Sequence, residues 1–237
     1  AGHSLGNLIV AAMKEITGDF VTGIKELSKV LAVRGRVLPA SAQFIELIGE
    51  YEDGSTVRGE SQIPNSSKRI KRVRIEPADA EPLAEAVEAL QEADAIILGP
   101  GSLYTSIIPN LMVPGIADVI LASSAVKIFV CNVMTQPGET DHYTVGDHIS
   151  AITDHVPGLT FDYIVVNNGP ISQEVLDKYA EQGSVPVVID DEQVLRRTGA
   201  QIIADRLVLY RTYLRHDTEV LSKHIFQLVY TWRSRKR

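Results

Sequence analysis

The chain has 237 residues, 45% of them hydrophobic, and carries 23 Lys and Arg against 30 Asp and Glu for a net charge of −7. That balance fits a packed globular core of one large or two small domains, at about 150 residues per domain, and it disfavours a broad nucleic-acid footprint, which needs clustered Lys and Arg. No run approaches the ~20 apolar residues that span a bilayer, and the lone Cys131 excludes an internal disulfide, so the chain reads as cytoplasmic, without stable membrane insertion.

The opening Gly2-His3-Ser4-Leu5-Gly6-Asn7 leads into a helix: Leu5, Leu8, Ile9, Ala12, Met13 and Ile16 recur at helical spacing and Gly18 ends it. Asp19 is placed to cap a second helix with the stripe Phe20, Ile24, Leu27 and Leu31. The texture then changes. Residues 44–76 read as a small antiparallel insertion, with strands at Phe44 to Tyr51, Thr56 to Glu60 and Ile70 to Ile75 and a turn at Glu52-Asp53-Gly54-Ser55. From Ala78 the pattern is α/β. A helix carries Leu83, Ala86, Val87 and Leu90, and short apolar strands are expected at Ala95 to Leu98, Val126 to Val130, Tyr163 to Val166 and Val185 to Ile189. Helices are expected between them near Val113 to Ser123, Thr144 to His155 and Ser172 to Gln182, and a closing helix turns Leu221, Ile225, Leu228 and Trp232 inward. Strands alternating with helices imply a Rossmann-like, doubly wound α/β fold with a mainly parallel sheet, a single domain over 1–237.

Ligands of open α/β sheets bind outside the carboxyl ends of the strands, so the loops there carry the chemistry. After the first strand, Gly99-Pro100-Gly101-Ser102-Leu103-Tyr104-Thr105-Ser106 combines glycines, which admit close backbone approach, with the Ser102 and Thr105 hydroxyls, which suit phosphate oxygens. After the second, Asn132, Thr135, Gln136, Gly138, Glu139 and Thr140 supply amides and hydroxyls for a base edge or ribose, with Glu139 suited to sugar hydroxyls; an ordinary capping loop is the bland alternative. A third loop, Asn167-Asn168-Gly169-Pro170, is a weaker candidate. At the front, the helix start with Ser4, His3 and Asn7 suits an anion. Gly2-His3-Ser4-Leu5-Gly6 also fits the nucleophile elbow of hydrolases, with Asp190 and His216 as conscripted partners, but the required preceding strand is not in this sequence. Arg215, in Arg215-His216-Asp217, is placed to pair with a diphosphate while Asp217 caps the last helix, and Tyr179 suits a stacking wall or the core. His142, His148, His155 and His224 lack metal-ligand spacing and read as caps or surface residues; Cys131 reads as a buried filler. The tail from Arg233 to Arg237 reads as a solvated basic helix end.

The opening motif, the block from Gly99 through Thr105 to Leu111, and the block from Asn132 to Thr140 together resemble the CofD/YvcK family, and within it the bacterial YvcK branch of gluconeogenesis factors. The resemblance covers essentially the whole chain. It implies a UDP-sugar ligand, notably UDP-N-acetylglucosamine, a regulatory role in cell shape and carbon use, no cofactor, and room for a homo-oligomer. The transferase branch of the family implies instead an enzyme that moves phospholactate from a nucleotide carrier with magnesium. The family's Gly-Gly-Gly-Thr-Gly loop and following Asp-Asp segment are missing from the front of this sequence, and the resemblance expects the native protein to carry them.

Overall fold

The computed structural model describes residues 5–66, 68–190 and 198–235. Helices α1 (Leu5–Thr17) and α2 (Phe20–Val30) form a hairpin. Asp19 caps α2 as expected, its Oδ2 accepting from the Thr22 amide at 2.7 Å. Gly23 lets the helices close, since a Cβ there would sit 3.0 Å from the Lys14 nitrogen. The apolar stripe of α1 is not buried: Leu5, Leu8, Ile9 and Ile16 are all exposed. The 3.6-residue repeat fixed the helix, while burial needs a partner surface that the described residues do not place there.

The insertion is a three-stranded antiparallel sheet in the order β2-β1-β3, with β1 (Glu46–Tyr51), β2 (Thr56–Arg58) and β3 (Ile70–Glu76). Ile70, Val73 and Ile75 point to the core while Lys71, Arg72 and Arg74 stay in water. The break in strict alternation coincides with a register shift at Glu50 and Tyr51 in the pairing with β1. The chain after β2 leaves the sheet as a 3-10 helix, Glu60–Asn65, whose Ile63 is fully buried and whose Ile63 carbonyl accepts from the Tyr51 hydroxyl at 3.0 Å.

The main sheet is parallel, with four strands in the order β4-β5-β6-β7: β4 (Ala95–Leu98), β5 (Val126–Val130), β6 (Tyr163–Asn167) and β7 (Gln201–Asp205). Helices α3 (Ala84–Gln91), α4 (Ile108–Met112), α5 (Ile116–Ala122), α6 (Val145–His155) and α7 (Gln173–Ala180) connect these elements; β8 (Val208–Tyr210) and β9 (Leu214–His216) pair antiparallel, and α8 (Thr218–Arg235) closes the chain. The fold is therefore the expected two-sided α/β arrangement. Alternation along the strands feeds two cores: Phe129 and Ile164 join the side holding the insertion and α6, while Val126, Ile128, Val130 and Val165 meet Leu221 and Leu228 of α8, with Ile225 and Trp232 packed beside them.

The expected strand at Val185 to Ile189 is a correction. That run makes isolated bridges, Met134 to Pro186 and Thr144 to Val188, and crosses the carboxyl edge of the sheet. The fourth strand is β7, whose half-exposed edge position left it without an apolar run to announce it. Ile97, read as part of a buried strand, is 41% exposed because β4 is the other edge.

His148 and His155, read as caps or surface residues, are also corrected: both lie on the inner face of α6 and are buried. Each gives its Nδ1 hydrogen to its own helix, His148 to the Thr144 carbonyl at 2.8 Å and His155 to the Ala151 carbonyl at 2.6 Å. His155 Nε2 then accepts from the Val73 amide at 2.9 Å, tying the insertion to the core. Burial lowers the pKa of both histidines below 6.5. A depressed folded-state pKa gives stability that is present above pH 6.5 and lost as the pH falls through the folded value. Thermal melts from pH 7.5 to 5.5 should therefore show a falling melting temperature, with a shallower slope in His155→Gln. An identical slope in that variant would show that the imidazole does not titrate against folding.

Candidate functional site

The loops following β4 and β5 meet over the carboxyl edge of the sheet, and hydrogen bonds stitch them together. Asn132, at the end of β5, clamps Gly101 from both sides: its Oδ1 accepts from the Gly101 amide at 3.3 Å and its Nδ2 donates to the Gly101 carbonyl at 2.8 Å. Deeper down, Glu139 is the node. Its Oε2 accepts from the Tyr104 amide at 3.1 Å, and its Oε1 accepts from the Thr105 hydroxyl and the Gln136 side-chain amide, each at 2.8 Å. Burial raises the carboxyl pKa, and the hydrogen bonds from Thr105 and Tyr104 oppose that rise in part.

Two glycines set how close the layers come. At Gly99, with φ +84°, a Cβ would lie 2.6 Å from the Val130 carbonyl oxygen, so the chain leaving β4 passes against the end of β5. At Gly138, with φ +79°, a Cβ would lie 2.0 Å from the Pro64 oxygen, so the second loop rests on the 3-10 helix of the insertion. Gly138→Ala should destabilise the fold by at least about 1–2 kcal/mol from the left-handed backbone alone. Denaturant titration measures it, and an unchanged midpoint would mean the loop swings free of Pro64.

Between the stitched loops, α7 and β9 lies an open cleft of about 440 Å³, within the range of small-molecule sites. It is bordered by Gly101, Ser102, Asn132, Thr135, Gln136, Tyr179 and Arg215 of the expected set, so residues spread over 115 positions of sequence converge as the strand-end rule requires. Several of these side chains are already committed to the protein. Asn132 holds Gly101, and Thr135 is buried, with its hydroxyl accepting from the Val185 amide at 3.0 Å. The Tyr179 hydroxyl accepts from the Leu214 amide at 2.9 Å, which leaves its ring as wall and fixes β9 beside the cleft. Lys178 reinforces that ribbon, its Nζ lying 5.9 and 5.7 Å from the Tyr210 and Tyr213 ring centres.

The remaining expected residues fall elsewhere. Gly99, Gly138, Glu139 and Thr140 do not border the cleft: Gly99 lines a separate depression, Gly138 rests on Pro64, and Glu139 and Thr140 are buried, the Thr140 hydroxyl accepting from the Gln136 amide. Tyr104 is buried with its hydroxyl 2.8 Å from that of Tyr143. Thr105 borders a separate depression against α1, α2 and residues 40–47. That depression is larger, about 850 Å³, but has Lys14 and the carboxylates of Glu46 and Glu60 on its walls and is lined most heavily by residues 40–47, with the helical hairpin contributing Val10, Ala11, Lys14 and Phe20. His3 and Ser4 lie outside the described residues, as does the side chain of Asn7, whose backbone belongs to α1. The hydrolase arrangement has no support from Asp190, whose two oxygens accept from the Gly146 amide and the Thr144 hydroxyl at the start of α6. His216, Gln182 and Ser184 border the cleft without having been expected there as ligand residues; the Arg-His-Asp triplet was the signal that pointed to the first.

Electrostatically, Arg215 is the one full charge among the described residues bordering the cleft, and no carboxylate is among them. No described ion pair engages it. Cys131 lies beneath, buried, its thiol pKa pushed well up by that burial. Among the described residues no group of three or more His, Cys, Asp or Glu could hold a metal ion, so the described residues build no protein-only cage for magnesium. No single helix among them is long and apolar enough to cross a membrane.

The family described as 2-phospho-L-lactate transferase CofD matches residues 1–208. The chain belongs to the CofD family. Within it, the chain is 52% identical to a gluconeogenesis factor of Halalkalibacterium halodurans over 228 residues, covering 96% of this chain and 70% of that relative. It is 48% identical to a gluconeogenesis factor of Bacillus subtilis over 229 residues, covering 96% and 72%. A crystal structure of a UPF0052 family member from Bacillus halodurans superimposes with a TM-score of 0.88 at 52% identity, covering 95% of this chain and 73% of that one. This CofD-family chain is thus a protein of the gluconeogenesis factor type, with the α/β fold of the solved relative.

Proposed function

We propose that the chain is a cytoplasmic regulatory protein that binds a UDP-sugar, UDP-N-acetylglucosamine, and that the bound state affects cell shape and carbon metabolism. The observation that carries the reading is Arg215 bordering a cleft at the strand ends with no carboxylate among its described lining residues, beside the Gly101-Ser102 backbone. A guanidinium pairs with a diphosphate through two hydrogen bonds. Tyr179, Met134 and Leu214 give the cleft an apolar wall for a base or sugar ring, and Ser102 and Gln136 give it polar contacts. The relatives' name, gluconeogenesis factor, favours the link to carbon metabolism. Calorimetric titration of the full chain with UDP-N-acetylglucosamine tests the ligand: saturable binding supports it, and silence at millimolar ligand removes it.

The family's description favours a second reading, transfer of a phosphate-linked group from a nucleotide carrier. Turnover of a labelled nucleotide carrier with magnesium and an acceptor would establish it. The described cleft offers no carboxylate to serve as base or metal ligand, so binding is the reading its chemistry supports better.

A further inference from the structure

His216 ends β9 and borders the cleft next to Arg215. Strand alternation puts His216 on the same face as Leu214 and opposite to Arg215. The exposures agree, since Arg215 is exposed and His216 is half-buried, so the imidazole sits deeper than the guanidinium.

The protonation state of this ring follows from its contacts. Its Nε2 lies 3.3 Å from the carbonyl oxygen of Cys131. A carbonyl only accepts, so Nε2 carries the hydrogen. Burial disfavours the imidazolium, and the one opposing influence is that same Cys131 carbonyl. Around the ring stand the neutral Cys131 from the end of β5, Val208 paired with it on β8, and Arg215 and Asp217 on either side along the chain. None of the charged groups holds the ring in its cationic form. The ring is neutral, and Nδ1 keeps its lone pair. That atom has no hydrogen-bond partner among the described residues, and it is not among their fully buried unpartnered polar atoms. A rigidly held acceptor therefore stands open, a few ångströms of chain from the cleft's one described full charge.

We propose that His216 accepts a hydrogen bond from the bound ligand through Nδ1, so that the cleft selects an anionic ligand bearing an N–H or O–H donor next to its phosphates over a bare phosphate ester or pyrophosphate. This rests on reading the cleft as a diphosphate site. Sugar hydroxyls, an acetamido N–H and the imide of a pyrimidine base all belong to the donor class. Because Asn132 and Thr135 spend their side chains on the protein, His216 takes over much of the recognition that the loop after β5 was expected to supply. A site that hydrogen-bonds its ligand discriminates strongly against one lacking the matching group, since its own polar atom is then left unpaired.

The test uses the full chain, with UDP-N-acetylglucosamine as the donor-bearing probe and inorganic pyrophosphate as the donor-free one, both by calorimetry. In His216→Phe the nucleotide-sugar should bind at least tenfold more weakly while pyrophosphate stays within about twofold. His216→Asn, whose Oδ1 falls near the Nδ1 position, should recover most of the loss. His216→Gln, which keeps a donor for the Cys131 oxygen but sets no acceptor at that position, should behave like the Phe variant and covers the case in which Phe does not fold. Unchanged affinity for the nucleotide-sugar in Phe and Gln, or equal losses for both probes, overturns the proposal while leaving the diphosphate reading standing. Wild-type protein that binds neither probe overturns both.

Discussion

Replacing Glu139 by alanine should lower the unfolding free energy by about 2–4 kcal/mol and loosen the cleft along with the fold, because three donors lose their acceptor at once. The Tyr104 amide has the least freedom, being a buried backbone group. The Thr105 hydroxyl can rotate, and the Gln136 side chain can swing toward water, which is why the estimate stays below three full desolvation penalties. Glu139→Gln should cost less but not nothing: the amide has one acceptor oxygen, and whichever way it turns, its NH2 faces a donor that the carboxylate satisfied. The pair of genotypes also has a pH signature. Burial raises the Glu139 pKa, so the carboxyl's favourable contribution is fully present below about 4.5 and is lost as the pH rises through its folded value. Stability of wild type relative to Glu139→Gln should therefore increase on acidification toward 4.5. Denaturant unfolding of the three proteins across pH measures this, and a pH-independent difference would mean the carboxyl ionises as freely in the fold as in the open chain.

Glu139 also shows where a sequence runs out. A carboxylate in a Gly-Thr-rich loop at a strand end looks like a sugar ligand, and nothing local distinguishes that from a brace. The difference is tertiary: Tyr104 and Thr105, some 35 positions earlier, bring it their donors. The same holds for Asn132 and Thr135, whose amide and hydroxyl are spent on Gly101 and Val185. Loop residues with polar side chains can bind ligands or close loops, and closure is decided by which strand ends are neighbours.

What was legible follows the physics of local pattern. β5 appears at its expected residues because buried parallel strands are uninterrupted apolar runs. The helix expected near Thr144 to His155 is α6, and the structure adds the reason it starts there, a reciprocal capping box between Thr144 and Asp147. Edge elements were not legible. β7 mixes Gln201 and Asp205 with three apolar residues, and Val185 to Ile189 carries the apolar texture of a strand while pairing with a loop and a helix start. The convergence of the Gly99 and Asn132 loops was legible because it depends only on two adjacent parallel strands sharing a carboxyl edge. Burial of His148 and His155 was not, since the inner face of α6 is set by the insertion that packs on it.

Arg215→Ala is expected to weaken UDP-N-acetylglucosamine binding by roughly 10- to 150-fold, the equivalent of about 1.5–3 kcal/mol for a hydrogen bond to a charged partner. The melting temperature in the absence of ligand should barely move. Arg215 is exposed and engages no ion pair among the described residues, so its removal leaves no buried partner behind. Arg215→Lys should fall between the two, keeping the positive charge but losing the planar fork that holds two oxygens at once. Raising salt should narrow the gap between Lys and Ala while leaving that between wild type and Lys nearly unchanged, because the Coulomb component that Arg and Lys share at an exposed site is screened over about 10 Å at 0.1 M. The position in the ribbon explains why one side chain matters this much: Leu214 is held by the Tyr179 hydroxyl at 2.9 Å and Lys178 sits against Tyr210 and Tyr213, so the backbone at Arg215 is fixed before any ligand arrives. Tyr179→Phe, which removes that anchor and keeps the ring, should then weaken binding in the same direction as Arg215→Ala but by less. Calorimetry on the three variants orders these effects, and an Ala variant that binds as tightly as wild type would take the guanidinium out of the site.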